Sequence, residues 1–283
     1  RQSLRDPRAS PLMEFIRVIK EARPKVFVME EVPGILSARI KHVPIKERGK
    51  RPLTPEEEPG SAWRVVLKEL NKTGYKINWK VLNSADYGTP QVRERVIVIG
   101  VRPDVGSPVS PEPTHGRDAT YPTLIGEAVR PWYTLAEALK GLGECEDYIP
   151  LPPKYAKFMK YVPPGGNWRQ IPDPLKPEAM NRAYKAGGGR MGFYRRLTWF
   201  EPSPTLVTSP AMKATMMVHP WRDRPLSVRE YLHIQGFPDT WKVVVKNSDA
   251  YRLFGEAVPV PLARAIAKVV RKLITKGGNT CLT

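Results

Sequence analysis

Residues 12–34 read Leu-Met-Glu-Phe-Ile-Arg-Val-Ile-Lys-Glu-Ala-Arg-Pro-Lys-Val-Phe-Val-Met-Glu-Glu-Val-Pro-Gly. Leu12, Phe15, Ile16 and Ile19 recur at helical spacing behind Ser10, a residue suited to cap a helix, and Pro11, which suits its first turn. Pro24 stops that helix. Val26-Phe27-Val28-Met29 follows as an unbroken apolar run, which predicts a parallel strand covered on both faces and ending on a carboxylate, Glu30. The helix-then-strand order repeats. Ser61 opens a second predicted helix with Trp63, Val66, Leu67 and Leu70 on one face, closed by Gly74. Tyr75, Ile77, Trp79 and Val81 alternate as a half-buried strand, and Val96 to Ile99 give another core strand. The fold class expected is therefore α/β, as part of a doubly wound sheet. Residues 38–60, basic and proline-rich without periodicity, read as a mobile insertion.

From about residue 103 to 200 the character changes. Prolines crowd the segment (Pro150, Pro152, Pro153, Pro163, Pro164), aromatics are scattered and long periodic runs are scarce. Residues 187–196, Gly-Gly-Gly-Arg-Met-Gly-Phe-Tyr-Arg-Arg, join glycines to cations and aromatics. That mixture suits contacts with phosphates and bases, and equally suits a glycine-rich turn beside an aromatic core. After residue 224 helical patterning returns over Ser227–Ile234, then in a final amphipathic stretch carrying Leu262, Ile266, Val269, Val270 and Leu273.

The 283 residues hold 46 Lys and Arg against 28 Asp and Glu, a net charge of +18. Such an excess points to a polyanion, most simply nucleic acid; a merely solvated basic surface is the alternative. Two cysteines, Cys145 and Cys281, make no disulfide framework and suggest a reducing, intracellular setting. No apolar run reaches the ~20 residues of a membrane span and no signal peptide is visible, so a soluble cytoplasmic protein is expected. The first residue is Arg1, which suggests a fragment or a processed product. His42, His115, His219 and His233 lack metal-ligand spacing.

Gln91-Val92-Arg93-Glu94-Arg95 lies just before the Val96 strand. A carboxylate at Glu30 with Arg93 and Arg95 could grip a flat polar ring and protonate it. Taken alone, the same residues could equally be an ion pair holding a loop. Other blocks surround them: Met29-Glu30-Glu31-Val32-Pro33-Gly34, Pro204-Thr205-Leu206, Arg224-Pro225-Leu226-Ser227-Val228-Arg229-Glu230, Gln235-Gly236-Phe237-Pro238 and Gly255-Glu256-Ala257-Val258. In this order they resemble the C-terminal two-thirds of a DNA (cytosine-5) methyltransferase: its Glu-Asn-Val motif, its Gln-x-Arg-x-Arg motif, the close of its recognition domain and its last motif, usually Gly-Asn-x-Val. Asp6-Pro7-Arg8 resembles the segment just beyond the catalytic loop. The resemblance covers nearly the whole chain, least securely over 103–200.

The resemblance implies a partial S-adenosylmethionine-dependent methyltransferase sheet in residues 1–102, an irregular target-recognition domain in 103–220, and a closing segment, 221–283, that returns to the catalytic domain. It also implies S-adenosylmethionine as cofactor and double-stranded DNA as substrate. In such chemistry a thiolate adds to cytosine C6 to make C5 nucleophilic. Glu30 would donate a proton at N3, a role that a carboxyl raised by desolvation suits. Arg95, supported by Arg93, would hold O2 and the catalytic loop, with the base flipped out of the duplex. Glu256, Ala257 and Val258 would touch the cofactor, and Arg8, Gln91, Thr205, Arg190, Arg195 and Arg196 the DNA.

The departures matter as much. Neither a Phe-x-Gly-x-Gly loop nor a Pro-Cys-Gln nucleophile occurs in the chain, and Glu31 and Glu256 stand where the family usually has Asn. Cys145, flanked by Glu144 and Glu146, should have a raised thiol pKa and is a poor nucleophile. The leading expectation is one subunit of a split enzyme, with a complementary chain supplying the cysteine and most of the cofactor site. The alternatives are an inactive DNA-binding or regulatory relative, and an RNA cytosine methyltransferase.

Overall fold

The computed structural model describes residues 10–118, 129–186 and 191–276. In chain order its elements are α1 (Ser10–Ala22), β1 (Val26–Glu31), α2 (Ser61–Asn71), β2 (Lys76–Asn83), β3 (Gln91–Val92), β4 (Glu94–Val101), β5 (His115–Gly116) and β6 (Arg130–Pro131). Then follow α3 (Leu135–Ala138), α4 (Pro153–Met159), α5 (Lys176–Met180), β7 (Ser203–Pro204), α6 (Val228–Gln235), α7 (Asn247–Glu256) and α8 (Val260–Lys276), with short 3-10 turns between. The chain divides into two compact units. The first takes Arg1–Leu82, Glu94–Glu112 and Ala265–Thr283; the second takes Asn83–Arg93 and Pro113–Arg264.

The first unit is built on a three-stranded sheet of order β1-β4-β2. α1 and α2 form where expected, because Ile16, Ile19, Trp63, Val66 and Leu70 pack on Phe27, Met29, Val96 and Val98 in one core. Each such side chain withdrawn from water contributes roughly 1.5–3 kcal/mol. β1, however, runs antiparallel to β4, with Val26 opposite Val101, Met29 opposite Val98 and Glu30 opposite Ile97. The parallel pairing predicted for Val26–Met29 is thus corrected. An unbroken apolar run reports that both faces meet other atoms, and an antiparallel neighbour satisfies that equally well. Val96 to Val101 of β4 are nearly all buried on both faces although β4 pairs antiparallel with β1. Gly100 is required here: a Cβ would lie 2.1 Å from the Phe27 ring.

Residues 38–60 are a second correction. They close on themselves rather than forming a mobile insertion. Val43 is fully buried and Glu57 is 1 % exposed. Arg51 donates to both Glu57 oxygens at 2.7 and 2.9 Å, the Thr54 amide donates at 3.1 Å, and Lys41 lies 3.4 Å away. The Ser61 hydroxyl receives the Ile40 amide and donates to the Glu56 carbonyl, so it ties the loop down while Gly60 caps α2. A sequence without periodicity can still fold when a buried carboxylate collects its cations.

The second unit has few long elements, as its prolines suggest, but its scattered aromatics are core. Leu197, Leu206, Leu226, Tyr231, Tyr251 and Phe254 centre one cluster. Phe158, Met159, Met180, Tyr194 and Val218 centre another. Tyr194 is completely buried, donates to the Ala179 carbonyl at 2.8 Å and meets Phe158 edge to face. α6 opens with a capping box in which Ser227 and Glu230 satisfy each other's backbone amides. In α8, Leu262 and Ile266 are buried as its amphipathic pattern predicts. No helix among the described residues is long and apolar enough to cross a membrane.

Candidate active site

In the first unit, strand register explains how Glu30 and Arg95 meet. Glu30 sits opposite Ile97, so Arg95, two residues earlier on β4, projects from the same face as its diagonal neighbour. Arg95 Nε lies 2.6 Å from Glu30 Oε1, with the side chains 11 % and 30 % exposed. Arg95 Nη1 donates to the Glu94 carbonyl at 2.7 Å. The Glu30–Arg95 contact lacks hydrogen-bond geometry: Glu30 Oε1 is buried without a hydrogen-bond partner among the described residues. The carboxylate is therefore paired by charge and keeps hydrogen-bonding capacity to offer. Glu31 projects to the opposite face. Burial, with the Glu30 charge adding to it, pushes its carboxyl above the usual value.

In the second unit, residues distant in sequence are tied into one buried network. Gln91 is fully buried; its carbonyl accepts the Leu206 amide at 2.9 Å and its amide donates to Gln235 at 3.0 Å. Gln235 in turn donates to the carbonyls of Phe254 and Ala257. Arg93, 1 % exposed, donates to the Gly255 carbonyl at 2.8 Å and the Glu256 carbonyl at 3.1 Å. A guanidinium on the last carbonyls of a helix satisfies groups that lack intrahelical partners and complements the negative end of the dipole. The Thr205 hydroxyl donates to the Val92 carbonyl at 2.9 Å, beside the parallel β3–β7 pairing. Gly255 is needed because a Cβ there would lie 2.9 Å from the Val207 carbonyl carbon.

Several sequence expectations change at this point. Gln91 has no surface to offer DNA, and Arg93 binds protein carbonyls rather than a ring. Thr205 is exposed as expected. Arg196, 5 % exposed, donates to the carbonyls of Val162, Met159, His219 and Arg222 and pairs with Asp223. Arg195 is half-buried and donates to the Met216 carbonyl at 3.2 Å. Both were expected on DNA, and both point into the unit because buried carbonyls there need donors. Arg8, Arg190 and Cys281 lie outside the described residues. Glu256 exposes its side chain at the end of α7, while Ala257 and Val258 are half-buried. Cys145 is buried, and burial foremost, then Glu230 and Asp147, raises its thiol pKa. Its neighbours in sequence, Glu144 and Glu146, are not the cause.

An ion-pair cluster at the base of α6 was missed by the sequence reading. Arg224 makes two 2.8 Å bonds to Glu230, whose carboxylate also accepts the Ser227 amide. The Ser227-x-x-Glu230 spacing was the available signal. Beside it His219 uses Nδ1 to accept the amides of Trp221 and Arg222, each at 3.2 Å, so that nitrogen carries no proton. Burial pulls its pKa down to about 4 from 6.5. The unfolded chain therefore takes up the proton first as pH falls, and stability is full above 6.5 and lost below it. Between pH 7 and 5 the loss is about 2 kcal/mol. Urea midpoints at both pH values check this, with His219→Gln as the comparison. An equal pH slope in the variant refutes the assignment.

Comparison with known proteins follows from these residues. A family model described as C-5 cytosine-specific DNA methylase matches residues 1–272. A Type II methyltransferase of Psychrobacter sp. is 38 % identical over 280 residues, which are 95 % of this chain and 59 % of that protein. A Type II methyltransferase of Staphylococcus aureus is 32 % identical, covering 95 % of this chain and 55 % of that protein. The chain thus spans somewhat over half the length of these relatives. Among solved structures, a prophage-encoded E. coli protein described as a DNA modification methyltransferase superposes with TM-score 0.57 at 22 % identity, over 95 % of this chain and 75 % of the other. The S. pombe Dnmt2 methyltransferase superposes with TM-score 0.55 at 14 % identity, over 96 % and 76 %. These two likenesses bear on the fold alone.

Proposed function

Because this chain belongs to the C-5 cytosine-specific DNA methylase family, we propose that it forms the base-holding part of an enzyme that flips cytosine out of duplex DNA and methylates it at C5. The observation that carries the proposal is the Glu30–Arg95 pair, 2.6 Å apart, in which the buried Glu30 Oε1 has no hydrogen-bond partner among the described residues. A cytosine ring offers N3 and O2 side by side. Glu30, protonated, would donate at N3, and Arg95 Nη2 would donate at O2. Arg93 acts within the second unit, where it holds the carbonyls at the end of α7.

S-adenosylmethionine, when bound, would supply the methyl group on its sulfonium. The residues assigned to it fit in kind. Glu256 exposes a carboxylate able to accept from hydroxyl or ammonium groups, and Ala257 and Val258 offer half-buried apolar surface. In this reading the three-stranded sheet is the end of a larger doubly wound sheet, and the irregular segment 103–220 is the target-recognition domain. Its exposed Phe200, 85 % accessible, and the Thr205 segment would face the DNA in this reading, with Trp221, 76 % accessible, just beyond it. These 283 residues hold neither a Phe-x-Gly-x-Gly loop nor a Pro-Cys-Gln sequence, so the attacking cysteine and the glycine loop are to be supplied by polypeptide beyond them. Methyl transfer to duplex DNA is expected only when this chain is mixed with a polypeptide bearing Phe-x-Gly-x-Gly and Pro-Cys-Gln. Transfer by this chain alone overturns that assignment.

A further inference from the structure

We infer that residues 38–51 of the first unit form a sequence-independent contact with the phosphate backbone of duplex DNA, separate from the recognition segment. The inference rests on the DNA reading above and adds a second point of grip. Arg39, Lys41, Lys46, Arg48, Lys50 and Arg51 face a single acid in that stretch, Glu47. Two of the cations are taken up internally, since Arg51 and Lys41 neutralise the buried Glu57. Arg51 also reaches Glu47 at 3.2 Å, which removes the one local acid from play. Among the described residues no carboxylate pairs with Arg39, Lys46, Arg48 or Lys50. Elsewhere in the first unit Arg17 pairs with Glu14 and Glu21, Arg64 with Glu58, Lys72 with Glu69 and Arg102 with Asp104, while Lys20, Lys25, Lys68, Lys76 and Lys80 pair with no carboxylate among the described residues. What sets residues 39–50 apart is the density of unpaired cations along one short fixed loop, which suits a polyanion.

The loop is also fixed. Val43 is buried at its base, the Lys41 amide bonds to the Glu56 carbonyl at 3.0 Å, and Arg48 Nε bonds to the Val43 carbonyl at 3.2 Å. Lys46, Arg48 and Lys50 are exposed at alternate positions on this frame. Held in place, they meet a partner without the cost of ordering a loop. Lys46 to Lys50 spans at most about 14 Å of chain. Phosphates spaced by about 3.4 Å of axial rise per step along each strand fall within that reach. The chemistry favours a row of point charges. Val43 is buried while Lys46, Arg48 and Lys50 stand exposed, so what this surface offers a partner is charge suited to phosphates. Phosphate contacts of this kind set position without reading sequence.

The test is the salt dependence of duplex binding by the full chain and by a variant carrying Lys46→Gln, Arg48→Gln and Lys50→Gln. Each lost phosphate contact removes about 0.9 from the slope of log affinity against log salt, so a reduction of about 2–3 is expected. Discrimination between methylatable and unrelated duplexes should not change. A second variant, Glu57→Gln, keeps the three surface cations but loosens the frame; it should bind more weakly with the parent's slope, and trypsin should cut it faster between residues 46 and 51. A triple variant with the parent's slope overturns the inference and leaves the DNA reading standing. A parent chain with no salt-dependent duplex binding overturns both. An equal loss of binding to anionic lipid vesicles overturns the assignment to DNA in favour of nonspecific charge attraction.

Discussion

Replacing Glu30 with Gln should lower methyl transfer by about a hundred- to ten-thousand-fold, the range over which a positioned proton donor contributes. The measurement is single-turnover transfer to duplex DNA, made on this chain together with a polypeptide that supplies the cysteine. Gln keeps the size of the side chain and a group able to meet Arg95, so binding of the duplex should fall far less than the rate. The competing account gives Glu30 a purely structural role, bracing the start of β4 through Arg95. An ion pair as exposed as this one, at 11 % and 30 %, is worth only about 0–1 kcal/mol in that role. On that account Glu30→Gln would transfer methyl groups at nearly the parent rate, within about threefold.

Arg196→Met should destabilise the second unit by about 3–5 kcal/mol, the loss expected when a buried charge-assisted network is left without its donor. The guanidinium, 5 % exposed, serves four carbonyls and the Asp223 carboxylate. Met fills similar volume, so the loss reports the missing donors rather than a cavity. Two of the carbonyls belong to Met159 and Val162, which are 0 % and 3 % exposed and cannot turn to water. Arg196→Lys should recover little, because one ammonium cannot meet acceptors arranged around a planar fork. Denaturant midpoints of the full chain measure this. A DNA-contact role predicts the reverse pattern: stability within about 0.5 kcal/mol of the parent and a shallower salt slope.

Both expectations bear on how much the sequence disclosed. The order of motifs was enough to identify the family, and the helix and strand periods placed α1, β1, α2, β4, α6 and α8. That Glu30 and Arg95 meet as a pair was legible, because a carboxylate at a strand end and a charged loop before a core strand put opposite charges within reach. Gln91, Arg93 and Arg196 were misread for a common reason. A sequence lists donors but not the carbonyls that need them, and in a unit with short elements many carbonyls lack partners in a helix or sheet. Those orphans, at Gly255 and Glu256 for Arg93 and at Val162 and Met159 for Arg196, decide where the guanidinium goes. The apolar run of β1 was likewise silent on strand direction, since burial depends on what covers the faces and not on which way the neighbour runs.

By itself, then, the sequence determined the family, because its short motifs stand in a recognisable order along the chain. Tertiary structure alone decided which cations face outward. Buried acceptors claim Arg93 and Arg196, and the buried Glu57 claims Arg51. Lys46, Arg48 and Lys50 stay at the surface, where no carboxylate among the described residues pairs with them and the neighbouring Glu47 is taken by Arg51.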